Sequence, residues 1–200
     1  MPTGSREGQP RATGTPATAK PALRTRLRAA RAVRVPDRAA DEARTVRALA
    51  ACAGAAVVAA YTSLPDEPQT FELIERLRLA QVQVLLPVLT GAPDWAFYSG
   101  PSGLAPGPRG ILRPTGPALG AEALGLAGWI WLPGLAGSPQ GHRLGTGGGW
   151  YDRALAWADA SARLGLLLFD DEVLDAVPVD PWDRDVHLIV TEKRRVDCAE

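Results

Sequence analysis

Residues 129–169 read WIWLPGLAGSPQGHRLGTGGGWYDRALAWADASARLGLLLF, and this stretch decides the fold. It opens on Trp129–Leu132, four apolar residues in a row, and closes on Leu164–Phe169, apolar apart from Gly165. Runs of that length without polar alternation predict strands buried on both faces. Between them lie a glycine-rich loop and a helical pattern expected over Tyr151–Arg163. Strand, loop, helix and strand in that order form the repeating unit of a parallel sheet.

Working outward, the same alternation recurs. Toward the front, a helix is expected from Lys20, with Leu23 and Leu27 at i,i+4 and Arg24, Arg28 and Arg31 on a second stripe. A second helix is expected from Pro36-Asp37, where Pro suits the first turn, to about Cys52. Ala55–Tyr61 and Val82–Val88 read as strands around a helix over Thr70–Leu79, and Val186–Val190 reads as the last strand. The Gly- and Pro-dense region Gly91–Gly128 is expected to be loop-like, with Trp95–Tyr98 and Gly110–Leu112 as short edge strands. The sum is a three-layer α/β, Rossmann-like arrangement, a mostly parallel sheet with helices on both faces. Residues 1–19 hold no bulky apolar residue after Met1 and are expected to be a disordered tail, leaving residues 20–200 as one domain.

Composition narrows the function classes. With 46% hydrophobic and 22% charged residues the chain is globular. Residues 1–47 hold 11 Lys+Arg against 4 Asp+Glu, and the rest hold 11 against 18, so a front of +7 faces a body of −7. A basic front suits nucleic acid, an acidic membrane or a polyphosphate. No aromatic residue precedes Tyr61, so the stacking platforms of a single-strand binder are missing. The front therefore reads as helix plus phosphate contact, with no nucleic-acid partner. Cys52 and Cys198 are far apart and form no CxxC pair. The longest apolar stretch, Ala48–Ala60, falls short of the ~20 residues of a membrane span. No charged-then-apolar leader opens the chain, so a cytoplasmic protein with no membrane partner is expected.

Gly145, Gly147, Gly148 and Gly149 give the loop its chemistry. Without Cβ atoms the backbone can turn tightly, and successive amide N–H groups can converge on an anion ahead of a helix. Glycines alone leave a phosphate site and a plain tight turn equally open. The flanks favour phosphate: Arg143 can neutralise its charge, and Asp152 can hold Mg²⁺, which takes one or two carboxylates plus phosphate oxygens. A first-turn helix carboxylate is the plainer reading of Asp152. The loop is no Walker A motif, because no Lys-Ser/Thr follows its last glycine.

The eleven residues Arg143-Leu144-Gly145-Thr146-Gly147-Gly148-Gly149-Trp150-Tyr151-Asp152-Arg153 resemble the signature of the 5-formyltetrahydrofolate cyclo-ligase family, usually written RLGxGGGYYDR. The resemblance continues through Lys20 and Arg24 (K-x-x-x-R), Tyr61 to Glu67 with Thr70, Leu86-Pro87-Val88, Pro133-Gly134-Leu135, and Pro178, Asp183 and Thr191-Glu192 near the end. It implies ATP- and Mg²⁺-dependent conversion of 5-formyltetrahydrofolate to 5,10-methenyltetrahydrofolate, with ADP and phosphate released. It also implies site roles. Lys20 and Arg24 would reach ATP phosphates, as would a loop running from Arg143 through Leu144, Gly145, Thr146, Gly147, Gly148, Gly149 and Trp150 to Tyr151. Glu67 and Trp150 would meet the folate, and Asp152 and Asp183 would carry Mg²⁺. For Asp183 a turn-holding residue among Pro181, Arg184 and Asp185 is an equal alternative.

Six positions depart from the family's usual pattern. Thr146 stands for Tyr or a basic residue, Trp150 for Tyr, Gly137-Ser138 for Phe-Asp, Arg113 for Glu and Trp182 for His. The chain offers no convincing nucleophile set, since His142 reads as a loop residue, His187 as a strand residue, and no GxSxG is present. Positioning and charge neutralisation suffice for phosphoryl transfer. Two other classes share these features: a different phosphate- or nucleotide-binding α/β enzyme, and a non-catalytic diverged relative.

Overall fold

The computed structural model describes residues 16–89 and 91–199. The tail expected over residues 1–19 lies outside the described residues as far as residue 15, while residues 16–19 already belong to the first helix. The front half runs α1 (Pro16–Ala32), α2 (Arg38–Ala51), β1 (Val57–Ala59), α3 (Phe71–Leu79), β2 (Gln83–Pro87), β3 (Trp95–Phe97), β4 (Leu104–Pro106) and β5 (Leu112–Pro114). The back half runs β6 (Trp129–Leu132), β7 (Ala136–Gly137), β8 (Arg143–Leu144), α4 (Trp150–Ala154), β9 (Arg163–Leu167), β10 (Leu188–Val190) and β11 (Arg195–Asp197).

Seven strands form one sheet in the order β11-β10-β9-β6-β1-β2-β3. The inner five are parallel, and the edges β3 and β11 run antiparallel. From β1 the chain passes through α3 to β2 on one side, then returns to β6 on the other. Strand order therefore reverses between β1 and β6, and ligands of open α/β sheets bind outside the carboxyl ends of strands at such a point.

Side chains alternate across the sheet into two apolar layers. Val58, Ala60, Val84 and Leu86 face Ala48 of α2 and Leu73, Ile74 and Leu77 of α3. Ala59, Leu85, Ile130 and Leu166 face Leu124, Ala154 and Leu155, from α4 and short 3₁₀ segments. Gly165 of β9 pairs with Trp131 of β6, whose fully buried ring occupies the space a Cβ would need.

Three elements differ from expectation. The helix read over Tyr151–Arg163 stops at Ala154 and continues only as a 3₁₀ turn to Trp157. Asp159 ends it, accepting hydrogen bonds from the Ser161 amide (2.8 Å) and hydroxyl (2.6 Å), a local bond that competes with helix. Pro36 precedes α2 rather than occupying its first turn. Asp37 is the N-cap, accepting from the Ala39 and Ala40 amides. The edge strand expected at Gly110–Leu112 is realised two residues later as β5, paired with β4 in a hairpin apart from the main sheet.

Candidate active site

A cleft of about 680 Å³ opens where the carboxyl ends of β1, β2 and β6 meet, lined there by Tyr61, Pro87 and Pro133. That volume suits a small-molecule ligand. One wall is built by α1 and the glycine loop. Along α1, Lys20, Arg24, Arg28 and Arg31 recur at helical spacing and project toward the back half of the chain. The Arg24 Nε donates to the Gly145 carbonyl (2.9 Å), and Arg28 donates to the Thr146 carbonyl (2.6 Å). These bonds fix the loop against the helix and leave the other guanidinium N–H groups for an anion. Gly147 (φ +98°) and Gly149 (φ +62°) adopt left-handed backbone, and a Cβ on Gly147 would meet the Arg24 guanidinium at 3.4 Å. Both positions require glycine. With α4 only five residues long, the loop's own N–H groups and the arginines, rather than a long helix dipole, carry its positive character.

Behind this wall Lys20 is buried and bridges two carboxylates, Asp180 (2.7 Å) and Asp183 (2.5 Å). The Asp183 Oδ2 also accepts the Asp180 amide (2.8 Å), closing a tight turn. Burial opposes the charge on Asp183, but the Lys20 bond and the Asp180 amide outweigh it and hold the carboxyl below the usual aspartate range. Lys20 is likewise penalised by burial yet held above its ordinary value by the two aspartates. The turn-holding reading of Asp183 thus describes its Oδ2, while its Oδ1 has no partner among the described residues.

Asp152 lies on the cleft, and its Oδ1 accepts from Arg143 (2.6 Å). Its Oδ2 has no hydrogen-bond partner among the described residues. Lys20, Leu144 and Asp183 do not line the cleft. Leu144 is fully buried against Leu27, Leu135 and Val177, so its side chain anchors the loop from below.

The other wall carries aromatic and acidic groups. Thr70 is fully buried at the start of α3. It donates to the Tyr61 carbonyl (2.6 Å) and accepts the Ser63 amide (3.0 Å), holding the segment that carries Tyr61 and Glu67. Burial raises the Glu67 carboxyl above its ordinary value despite the Leu64 amide (2.9 Å) and the Arg31 charge. Burial also raises the phenols of Tyr61 and Tyr151, and the nearby Glu67 charge adds to both shifts. Trp150 stands edge-on to Trp95 (5.4 Å) and Tyr151 (4.9 Å). The Trp150 Nε1 and the Tyr151 hydroxyl are buried without partners among the described residues. Both residues line the cleft, unlike Trp95, Trp129 and Trp131 whose indole nitrogens are also unpartnered, so these two polar atoms lie where a ligand could meet them.

Three participants escaped the sequence reading. Asp180 shares Lys20 with Asp183, and Arg28 secures Thr146. Glu172 takes both Nε and a terminal nitrogen of Arg31 (2.7 and 2.8 Å) beneath the Gly134 carbonyl, which Arg31 also donates to (2.7 Å). The stripe Arg24, Arg28 and Arg31 signalled the helix side of these contacts, and nothing local signalled Glu172. Of the departures from the family pattern, Gly137 and Ser138 are buried away from the cleft. A Cβ at Gly137 would meet Ile189 and Leu166 at 2.7 and 2.8 Å, so these two residues are a matter of packing.

Comparison with known proteins now bears on this geometry. The family model described as the 5-formyltetrahydrofolate cyclo-ligase family matches residues 16–192. The chain belongs to that family. It is 37% identical over 146 residues to 5-formyltetrahydrofolate cyclo-ligase of Mycolicibacterium smegmatis, covering 70% of this chain and 75% of the relative. It is 30% identical over 142 residues to the Escherichia coli K12 protein of the same name, covering 68% and 78%. The solved structure of Aquifex aeolicus 5,10-methenyltetrahydrofolate synthetase shares the fold, with a TM-score of 0.75, 24% identity, and coverage of 90% of this chain and 93% of that one. The family is one of ligases, and the mostly parallel α/β sheet is its architecture. Among the described residues no helix is long and apolar enough to cross a membrane.

Proposed function

We propose that this chain converts 5-formyltetrahydrofolate and ATP to 5,10-methenyltetrahydrofolate, ADP and phosphate. The observation that carries the proposal is the pairing, around one cleft, of a cationic glycine-loop wall with an aromatic wall holding unpartnered buried polar atoms. The first suits a polyphosphate, and the second suits a flat, polar heterocycle.

In this reading the formyl oxygen attacks the γ-phosphorus and displaces ADP, the folate nitrogen at position ten attacks the activated formyl carbon and gives up its proton, and the formyl C–O bond breaks to release phosphate. The protein's part is positioning. Loop amides from Gly145 to Tyr151, with Arg24, Arg28 and Arg143, neutralise and align the phosphates. Lys20 holds the Asp180–Asp183 turn against α1 and adds positive charge behind the phosphates. Glu67 and Trp150 orient the folate, one as a partly desolvated acceptor and the other as a ring face. Mg²⁺ would supply positive charge beside the phosphates. Asp152 through its free Oδ2 and Asp183 through its free Oδ1 are the carboxylates that would hold it. Mg²⁺ takes one or two carboxylates besides phosphate oxygens.

The inward engagement of Lys20, Arg24, Arg28, Arg31 and Arg34 supports small-molecule partners rather than a nucleic-acid arm. Two cysteines left as thiols support a reducing, cytoplasmic setting. The test is absorbance in the methenyl-folate band after mixing protein, 5-formyltetrahydrofolate, Mg²⁺ and ATP. An increase requiring both ATP and Mg²⁺ is expected. ATP binding without any increase would sink the proposal.

A further inference from the structure

Four aromatic side chains line the cleft: Tyr61, Trp150, Tyr151 and Trp182. Three of them are committed to the wall. Tyr61 is buried, and Trp150 and Tyr151 are half-buried and packed edge-on against Trp95 and each other. Trp182 differs, because it is 70% exposed and stacks on no other ring among the described residues. Trp157 is also exposed, but only Trp182 of the exposed indoles lines the cleft, where its free face can meet a ligand.

Its backbone is held firmly. Trp182 sits inside the turn closed by the Asp183 amide donating to the Asp180 carbonyl (3.0 Å) and the Asp180 amide donating to Asp183 Oδ2 (2.8 Å). Lys20 clamps both carboxylates of that turn onto α1, the helix that also sets Arg24 over Gly147. The ring and the phosphate-binding groups are therefore parts of one wall.

We propose that Trp182 is the platform on which the nucleobase of the bound nucleotide stacks. The inference rests on the nucleotide reading of the cleft and extends it to the far end of the nucleotide. Two observations select the nucleobase over the folate ring. Trp182 rides on the turn that Lys20 clamps to α1, the helix whose Arg24 holds the glycine loop, and Trp150, the ring read above as the folate's, is already packed edge-on against Trp95 and Tyr151. The residue also stands where the family commonly has His, so this chain offers a larger apolar face at that rim. Every base has a π face, so stacking recognises a purine without selecting one. GTP is then held by the ring as well as ATP.

Isothermal titration of wild type, Trp182→Ala and Trp182→Phe with ATP, GTP and tripolyphosphate, each with Mg²⁺, separates the possibilities. Trp182→Ala is expected to weaken ATP and GTP alike by about tenfold, at the lower end of what one base on one aromatic ring contributes. Tripolyphosphate, which has no base, is expected to bind the variant and wild type equally, and Trp182→Phe is expected to restore most of the lost affinity. Equal weakening of ATP and tripolyphosphate would show that Trp182 acts through the turn and would overturn the proposal. So would ATP binding that Trp182→Ala leaves unchanged, or a loss confined to 5-formyltetrahydrofolate titrated in the same way. Wild type that binds tripolyphosphate but gains nothing from the base overturns the stacking alone. Wild type that binds neither overturns the nucleotide reading with it.

Discussion

The two ends of α1 carry the same kind of side chain and use it in opposite ways. At the leading end Lys20 and Arg24 engage partners beside an open cleft, and the Asp180 and Asp183 side chains remain 30% and 14% exposed. At the trailing end Arg31 and Glu172 are 1% and 3% exposed, and Arg31, Arg34 and Arg44 surround the Phe169 ring at 5.6, 4.0 and 4.9 Å. Removing a charge from water costs several kcal/mol, and the trailing cluster offsets that cost with bidentate bonds and ring contacts. Arg31 spends its Nε and one terminal nitrogen on Glu172 and the Gly134 carbonyl, so most of its bonding capacity goes into the wall. Arg24 donates only its Nε to the Gly145 carbonyl and keeps both terminal nitrogens on the cleft. Burial, more than residue type, separates architecture from binding on this helix.

Glu172→Gln puts the contrast under the greatest strain. Leaving Arg31 buried without its counter-charge should lower the unfolding free energy by about 3–5 kcal/mol, measured by urea denaturation. A loss as small as that of a surface pair would erase the distinction between the two ends.

Arg24→Ala probes the other end. Losing a charge-assisted bond to phosphate should weaken ATP binding by about 10- to 100-fold in a titration, with stability changed by less than about 1 kcal/mol. Matching losses in stability and affinity would mean that Arg24, like Arg31, is mainly a brace.

The smallest effect concerns pH. The Asp183 carboxyl is held below its ordinary value, so its contribution is fully present above the unfolded aspartate pKa of about 3.9 and fades as pH falls through the lowered native value. The stability difference between wild type and Asp183→Asn should therefore be near 1 kcal/mol at neutral pH and vanish in that acidic window. A difference that persists unchanged into strong acid would detach the turn from the Lys20 charge.

The parallel core was legible because β6 and β10 are apolar throughout and β2 and β9 are apolar after their first residue, a pattern expected of strands buried on both faces. The glycine loop was legible because left-handed backbone at Gly147 and Gly149 leaves its mark in residue identity. The edge strand β11 was not, since Arg195-Val196-Asp197 carries no apolar run and pairs only because β10 offers it an open edge. The helix after the loop was overread because the alanines from Ala154 to Ala162 favour helix, while Asp159 and the bond from Arg184 to the Leu155 carbonyl override them. Glu172 was invisible for another reason. Its partner lies 141 residues away, and an acidic run such as Asp170-Asp171-Glu172 looks solvated until the fold encloses it.

The clamp between Lys20 and Asp183 spans 163 residues. On a ribosome that distance becomes time: at about 5–20 residues per second, α1 emerges roughly ten to thirty seconds before the aspartates that will receive its lysine. Throughout that interval the nascent chain displays a cationic helix with no counterpart and a cleft with one wall. The wall that Lys20 and Asp183 tie together thus closes long after its first helix has been made.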